Sequence, residues 1–201
     1  MSKTIATPKG KAVWPRIDTP DTKFDEDGVY SCKLHVTEAD FKAFEALIQP
    51  KLDTAYKEEC SRQGKEKIRM AASSPLRIND EGDYEIFAKQ KAKVHTKSKG
   101  TLEFSIAAVD SQGKKIAMPK IGSGSTLKMA VEVNTWFVPS QGFGYTLRLR
   151  AVQVLELIEY GDGGDSSFGF GAEADGYVGS GESLNDAFEV ADEAETSNAP
   201  F

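Results

Sequence analysis

Hydrophobic and polar residues alternate along most of the chain, and this alternation predicts a protein built mainly of β-strands. Successive side chains of a strand point to opposite faces, so alternation indicates a strand with one buried side. The first such run is GVYSCKLHV at 28–36, and the period returns over 83–160 in DYEIFAKQKAKVH, TLEFSIAAVD, STLKMAVEVNTWFV and YTLRLRAVQVLELIEY. The predicted buried faces are Tyr30, Cys32, Leu34 and Val36; Leu127, Met129, Val131 and Val133; and Leu147, Leu149, Ala151, Leu155 and Leu157.

A helical period interrupts the alternation once, early in the chain. Apolar residues recur at helical spacing over 37–60, and Thr37 with Asp40 resembles an N-terminal capping box. Pro50 lacks the backbone donor that an internal helical residue supplies, so we expect it to kink or divide the helix. The basic run SRQGKEKIRMAASS after the helix predicts a mobile connection, and Gly113 in DSQGKK predicts a turn.

Strands with one apolar face and a single inserted helix favour a closed or nearly closed barrel capped by that helix, with a sandwich as the alternative. Residues 1–160 carry all of this pattern. Residues 161–201 contain too little apolar material to offset the entropy of ordering, so we expect a disordered tail there. No apolar run approaches the ~20 residues needed to cross a bilayer, and two cysteines fit a reducing compartment. The sequence therefore predicts a soluble intracellular protein.

Charge divides the chain at the same point. The chain has 25 Lys and Arg against 31 Asp and Glu, but ten of the acids and none of the bases lie in 161–201. Residues 1–160 therefore hold 25 basic against 21 acidic side chains, and 61–128 hold 14 against 7. A basic body joined to an acidic tail points towards nucleic acid.

The stretch FAKQKAKVH concentrates the positive charge on one strand face. Period two places Phe87, Lys89, Lys91, Lys93 and His95 together, with lysines about 6.6–6.8 Å apart, near the phosphate repeat of an extended single strand. Lys97 and Lys99 follow in the next turn. The alternative interpretation is a solvated, lysine-rich edge strand that resists pairing with other sheets.

Aromatic and basic side chains also gather on the last two predicted strands. Trp136 lies opposite the apolar stripe of its strand, and Arg148 and Arg150 lie opposite Leu147 and Leu149. Phe137 and Tyr145 flank the loop PSQGFG. Rings that stack on unpaired bases beside cations that neutralise phosphates are typical of single-strand binders, whereas packing in a core or hairpin is the competing explanation.

Catalysis and metal binding have no comparable candidates. Cys32, His35, Cys60 and His95 could form a metal site, but a strand separates the first two onto opposite faces. GSGS at 122–125 precedes a strand rather than a helix, so it is not a phosphate loop. We therefore expect no enzyme activity, no metal and no cofactor.

Several segments resemble the single-stranded DNA-binding proteins of T7-like podophages. AAVDSQGKKIAMPKIGSGSTLKMAVEV is similar to that family's strand, Asp-Ser-x-Gly-Lys-Lys turn, Ile-Gly-x-Gly-Ser link and next strand. LRLRAVQVLELIEYGDGG resembles its last barrel strand and exit, and the acidic end with Phe201 resembles its C-terminus. Residues 1–80 resemble the family more loosely.

The resemblance implies an oligonucleotide/oligosaccharide-binding (OB) fold, a five-stranded Greek-key barrel. It also implies roles in phage DNA replication, recombination and repair in the cytoplasm of the infected bacterium, often as a homodimer. Matched position by position, the family's DNA-binding residues fall on Lys3, on Phe87, Lys89, Lys91 and Lys93, and on Trp136 with Phe137. Its tail contacts to the phage DNA polymerase and helicase–primase would involve Glu189, Asp192, Glu193, Glu195 and Phe201.

The tail then has a physical explanation as a hypothesis. Its carboxylates resemble single-stranded DNA in charge, and the Phe201 ring resembles a base in having a π-face. The tail can occupy the basic groove without DNA and turn to basic partner surfaces when DNA binds. A solubilising tail is the simpler alternative.

The sequence predicts a non-enzymatic, sequence-independent binder of single-stranded DNA, with strand annealing as a plausible further activity. The competing hypothesis is a phage structural or interaction protein whose basic face binds acidic protein partners. A nuclease would need a carboxylate cluster for Mg²⁺ in the groove, and the sequence indicates none.

Overall fold

The computed structural model describes residues 4–96 and 100–159 of the chain. These residues form eleven β-strands and one α-helix, so the fold is mainly β with one helix, as predicted. The helix α1 spans Glu38–Gln63. The strands are β1 (Ile5–Ala6), β2 (Gly10–Asp21), β3 (Val29–Val36), β4 (Leu76–Ile78), β5 (Tyr84–Lys91), β6 (Lys93–Thr96), β7 (Gly100–Glu103), β8 (Ala107–Val109), β9 (Lys115–Ile116), β10 (Thr126–Val138) and β11 (Gly142–Glu156).

Five of the strands close into a ring. β2 pairs with β3, β3 with β5, β5 with β11, β11 with β10, and β10 returns to β2. Only the β5–β11 contact in this ring is parallel. The two architectures expected from the sequence were a barrel and a sandwich, and this closed ring is a barrel. Closure leaves none of the five strands with a free edge along its whole length.

The barrel interior holds the core. Its most deeply buried side chains lie on β3, β5, β10 and β11, and burying each contributes about 1.5–3 kcal/mol to the free energy of unfolding. They include Leu34, Ile86, Leu127, Met129, Val131, Leu147 and Leu149, all no more than 1% exposed. The predicted inner faces of β3 and β10 are confirmed, and α1 adds Phe41, Phe44, Ile48 and Leu52 to the same cluster.

The predicted inner face of β11 is wrong beyond Leu149. Ala130 pairs with Ala151 and Val131 with Leu149, so Arg150 is an extra residue opposite the β10 ladder. Such a bulge shifts the alternation by one position. Val152 and Val154 are therefore buried, whereas Ala151 and Leu155 are only half-buried and Leu157 is exposed.

The helix begins as predicted but is not divided. The Thr37 hydroxyl accepts a hydrogen bond from the Asp40 backbone N–H, which satisfies one of the free donors of the first turn. Pro50 lies inside a helix that continues to Gln63. Burial of Ile48 and Leu52 on either side of Pro50 explains why the helix continues, since packing outweighs one lost backbone bond.

The basic segment after the helix is anchored rather than a loose connection, contrary to expectation. The Tyr56 hydroxyl donates to the Ile68 carbonyl at 2.9 Å. The Phe143 backbone N–H donates to the Arg69 carbonyl, and the Ala71 N–H donates to the Phe143 carbonyl. Ile68 and Phe143 also pack with Cys60 in a second apolar cluster.

Two predicted strands are each interrupted. β5 ends at Lys91 and β6 begins at Lys93, because the Ala92 N–H bonds to Gly28 O and the Ala92 carbonyl accepts from Phe104 N–H. The run TLEFSIAAVD likewise divides into β7 and β8. The hairpin β6–β7 therefore forms a separate two-stranded sheet beside the barrel.

Candidate nucleic-acid interface

A cleft of about 390 Å³ lies on the outside of the barrel where β5, β10 and β11 come together. Four of the side chains predicted for DNA binding line it: Phe87, Lys89, Trp136 and Tyr145. Residues 73–75, in the anchored segment before β4, form another part of the wall. The cleft thus combines aromatic surface with a cation, the two chemical requirements for holding an unpaired nucleotide.

The Trp136 ring packs over a glycine of the neighbouring strand. Trp136 pairs with Gly144 across the β10–β11 ladder, and a Cβ at Gly144 would overlap the indole ring. The ring is half-buried, so one part packs on the strand while the rest borders the cleft. Rings that cover a glycine on the next strand are a common way to fix an aromatic side chain on a sheet surface.

Tyr145 is fixed by a hydrogen bond at the same cleft. Its hydroxyl lies 3.2 Å from the Ser74 hydroxyl. Burial raises the pKa of the Tyr145 phenol. The neutral phenol therefore presents a ring and no negative charge to the cleft.

Cations form a row across the barrel next to the cleft. Cross-strand register joins Arg16 on β2 to Ser31 on β3, Ser31 to Lys89 on β5, and Lys89 to Arg148 on β11. Neighbouring strands lie about 4.8 Å apart, so Lys89 and Arg148 start from adjacent backbone positions. We call Arg16, Lys89 and Arg148 the cationic row.

The cationic row is not neutralised within the part of the chain that is described. All three side chains are exposed, and none forms a salt bridge there. Glu132 pairs with Arg148 in register but is held by Arg150, whose Nη2 lies 2.9 Å from Glu132 Oε2. That hydrogen bond lowers the pKa of Glu132. The row therefore keeps its charge available for phosphates.

The remaining lysines of the predicted basic strand are in ion pairs. Lys91 Nζ lies 2.9 Å from Asp25 Oδ2 and 3.8 Å from Asp27 Oδ2. The hydrogen bond between Lys91 and Asp25 raises the pKa of the lysine and lowers that of the carboxyl. Lys93 Nζ lies 3.6 Å from Glu103, and His95 Nε2 lies 2.8 Å from Asp27 Oδ1. Lys89 and Lys91 share an exposed face of β5, whereas Lys93 and His95 lie on the separate hairpin, and of these four only Lys89 lacks a carboxylate partner among the described residues.

Arg150 and Phe137 have structural contacts. Arg150 is the bulged residue of β11, and its guanidinium lies 5.8 Å from the Phe104 ring centroid in addition to binding Glu132. Phe137 packs against the second apolar cluster beside Phe143. Core packing, the competing explanation for Phe137, agrees with this position. Arg150 lies opposite the buried Leu149, as predicted, but its charge is paired with Glu132.

Lys3, Lys97 and Lys99 lie outside the described residues, and so do the tail residues Glu189, Asp192, Glu193, Glu195 and Phe201.

Two cations of the outer surface were missed by the sequence analysis, Arg16 and Lys33. Arg16 belongs to β2, which the alternation does not reveal because Trp14 and Pro15 interrupt it. Lys33 lies on the face of β3 opposite the buried Cys32 and Leu34. Its register partner on β5 is Phe87, at the cleft, and its Nζ lies 3.9 Å from Glu85 Oε1.

The cysteines and histidines have other roles. Cys32 is 1% exposed, and burial raises the pKa of its thiol to about 12. His35 lies between Glu85 and Asp83, at 3.2 and 3.4 Å. Among residues 4–96 and 100–159, no three His, Cys, Asp or Glu side chains are grouped to hold a metal ion. In the same ranges, no helix is both long and apolar enough to cross a membrane.

The chain is similar in sequence to two phage proteins, each called single-stranded DNA-binding protein. It is 35% identical over 86 residues to that of Enterobacteria phage T3 and 36% identical over 87 residues to that of Escherichia phage T7. Each match spans 42% of this chain and 37% of the relative's length. No family model matches the chain.

The fold is similar to that of solved phage proteins. The crystal structure of gp2.5, a single-stranded DNA-binding protein of bacteriophage T7, covers 90% of this chain with 100% of its own, at TM-score 0.68 and 25% identity. The single-stranded DNA-binding protein of bacteriophage Enc34, solved in complex with single-stranded DNA, covers 79% at TM-score 0.57 and 14% identity, which shows likeness of fold. The resemblance to T7-like single-stranded DNA-binding proteins, stated from the sequence, is confirmed.

Proposed function

We propose that this protein binds single-stranded DNA without sequence preference and is not an enzyme. The observation that carries the proposal is the position of Lys89. Its side chain has no carboxylate partner among residues 4–96 and 100–159, lines the same cleft as Phe87 and Trp136, and lies beside Arg148 in register. The likeness to two proteins named for single-stranded DNA binding supports the same assignment.

The fold that we propose is the OB fold. Counted along the chain, β2, β3, β5, β10 and β11 are the five barrel strands, and around the ring the fifth lies between the third and the fourth. This is a Greek-key order, and α1 packs against the barrel core. OB-fold barrels bind oligonucleotides on the outer surface of their second and third strands, here β3 and β5. Lys89 and Phe87 lie on β5, and the rest of the cationic row and of the cleft flanks this surface on β2, β10 and β11.

Binding would combine two effects on one strand of DNA. Lys89, Arg148 and Arg16 would neutralise successive phosphates, which makes affinity fall with salt. Trp136 and Phe87 would stack on bases, at about 1–3 kcal/mol per base. Neither contact reads base edges, so the binding is sequence-independent. Shielding the phosphates of two complementary strands would also promote annealing.

We further propose the setting and partners that the resemblance implies. The protein would act in phage DNA replication, recombination and repair in the cytoplasm of the infected bacterium, as a homodimer. Residues 161–201 would form a separate disordered acidic tail that competes for the DNA surface and contacts the phage DNA polymerase and helicase–primase. Its ten carboxylates without one Lys or Arg support the competition.

A salt series of titrations with a poly-dT oligonucleotide tests the proposal. The full chain is compared with a chain that ends at Tyr160. We expect both to bind, with affinity that falls as salt rises, and the shorter chain to bind more tightly. Equal affinities of the two chains would contradict competition by the tail but would still support the proposed DNA surface. If neither binds, the proposal fails, and a basic face that meets acidic protein becomes the better explanation.

A further inference from the structure

Trp14 has two energetically unfavourable features, an exposed side chain and a positive φ, and no packing of the ring against the described residues compensates for them. Its side chain is 76% exposed, although tryptophan is among the most hydrophobic residues. Its backbone φ is +48°, the only positive φ at a non-glycine residue in the described chain. It also precedes Pro15, and a residue before proline is further restricted. Backbone strain of this kind concentrates at functional sites.

The surrounding loop holds Trp14 in this conformation. The Trp14 backbone N–H donates to the Ser123 hydroxyl at 3.1 Å. The Ala12 N–H donates to Ser125 O, and the Gly124 N–H donates to Ala12 O, each at 2.8 Å. The backbone is therefore fixed from outside, while the indole ring makes no aromatic or cation–π contact with the described residues.

The position of Trp14 on β2 is set by a bulge. Val13 pairs with Lys33 and Arg16 with Ser31, so Trp14 and Pro15 are both inserted opposite Cys32. Val13 and Arg16 are less buried than Ala12 and Ile17, whose side chains fill the barrel. Trp14 therefore lies between two outward-facing positions of its strand.

The bulge places Trp14 at the end of the proposed DNA surface. Lys33 is in register with Phe87, and Ser31 with Lys89, so the cleft residues on β5 lie two strands from the bulge. Two strand spacings are about 10 Å, a distance that an extended single strand covers in two nucleotides. Arg16 and Lys33 lie on the way.

We infer that Trp14 is a second base-stacking platform, which lets the bound strand run across β5 and β3 to β2 instead of ending at the Trp136 cleft. This inference rests on the proposed binding of single-stranded DNA and extends it. An exposed indole on a fixed backbone beside Arg16 presents a π-face to a base whose phosphates are already neutralised. The hydrogen-bonded backbone fixes the point at which the indole leaves β2 before DNA arrives, which lowers the ordering cost of binding.

Tryptophan fluorescence tests the inference because Trp14 and Trp136 are the only tryptophans in the sequence. The Trp136→Phe chain reports on Trp14, and the Trp14→Phe chain reports on Trp136. Both are titrated with a poly-dT oligonucleotide, while the anisotropy of a fluorescein label on the DNA measures binding independently. We expect quenching in both chains, with midpoints that agree with the anisotropy.

The outcomes separate this inference from the proposed function. If anisotropy shows binding and Trp136 is quenched while Trp14 is not, the second platform is wrong and the DNA surface stands. If anisotropy shows no binding by the unmodified chain, the proposed function itself fails.

A second variant distinguishes stacking from a structural role. Glycine adopts positive φ without strain, so Trp14→Gly should raise the melting temperature yet weaken poly-dT binding about fivefold or more, the loss of one stacked base. Trp14→Phe, which keeps a ring, should retain most of the affinity. A Trp14→Gly chain that binds as tightly as the unmodified chain would overturn the inference, whatever its stability.

Discussion

Lys89 and Lys91 are two residues apart on one strand face, yet their surroundings differ completely. Lys89 borders a cleft with Phe87 and Trp136 and has no salt bridge within the described residues. Lys91 is held by two carboxylates, Asp25 and Asp27. A run of lysines in a sequence is therefore not a uniform charged surface. The loop between β2 and β3 divides it into an open half and a neutralised half.

The largest expected effect on DNA binding comes from replacing the cations of the open half, Lys89 and its neighbour Arg148. Lys89→Ala with Arg148→Ala should weaken poly-dT binding about tenfold or more at low salt, equally for other base compositions. The slope of log affinity against log salt should also become shallower by about 1.4, since each lost phosphate contact on a single strand removes about 0.7. A salt series of anisotropy titrations measures both.

The matched control removes the same charge from the neutralised half. Lys91→Ala with Lys93→Ala should change the affinity and the slope much less, because these lysines already hold Asp25 and Glu103. If the two double variants lose equal affinity, the division of the strand into two halves is wrong.

A smaller effect is expected from disturbing the ring beside Lys89. A Cβ at Gly144 would overlap the Trp136 indole, so Gly144→Ala should displace the ring. Overpacking of this kind costs about 1–3 kcal/mol of unfolding free energy. We expect a lower melting temperature, a shifted Trp emission maximum and several-fold weaker DNA binding. Trp136→Phe with the native Gly144 is the control for loss of the indole. Adding Trp136→Phe to Gly144→Ala should restore most of the stability, because the smaller ring relieves the clash.

Opening the neutralised half should strengthen binding modestly. Asp25→Asn with Asp27→Asn keeps the side-chain shape but releases Lys91 and His95. The affinity for poly-dT should rise about two- to fivefold, the scale of exposed charge pairs, and its salt dependence should steepen. Asp53→Asn with Asp80→Asn makes the same change in net charge on the helix and in a turn. An equal gain in that control would mean that net charge, rather than release of Lys91, is responsible.

The smallest expected effect is on the pH dependence of stability, and it involves Glu85 near the start of β5. Burial alone would raise the pKa of Glu85, but hydrogen bonds from Arg77 and His35 hold it below its ordinary value of 4.5. A carboxyl with a lowered pKa in the folded state stabilises the protein above about pH 4.5, and this stabilisation is lost as pH falls through the folded-state value. Glu85→Gln should therefore lower the melting temperature at pH 7. The difference in melting temperature between the variant and the unmodified chain should become smaller below pH 4. A difference in melting temperature that stays constant down to pH 3 would contradict this role of the Glu85 carboxylate.

Local patterns predicted the elements that follow one regular period. The strand at 28–36, the capped helix after Thr37 and the inner face of β10 all keep their period, and the structure confirms them. The inner face of β11 failed at Arg150, where one inserted residue reverses the alternation. β2 was missed for the same reason, since Trp14 and Pro15 form a bulge.

The candidate site was predictable in residue type but not in pairing. The alternation predicted Lys89, Lys91 and Lys93 on one face, and all three are exposed, although Lys93 lies on β6 in the separate hairpin. Which of them is neutralised depends on Asp25, Asp27 and Glu103, which are distant in sequence or lie in a separate hairpin. Arg16 joins Lys89 only through the barrel register, which no local pattern contains.

The parallel contact between β5 and β11 has a mechanical consequence. In the described chain it consists of two residue pairs, Leu147 with Ala88 and Arg148 with Lys89, whereas β10 and β11 are paired along nearly their whole length. This makes it a short seam, where amide hydrogen exchange should begin. A DNA strand bound by both Lys89 and Arg148 would cross that seam and hold β5 and β11 together. Opening the barrel there would require release of the DNA, so the nucleic acid would reinforce one of the two shortest contacts in the ring, the other being the two residue pairs between β2 and β10.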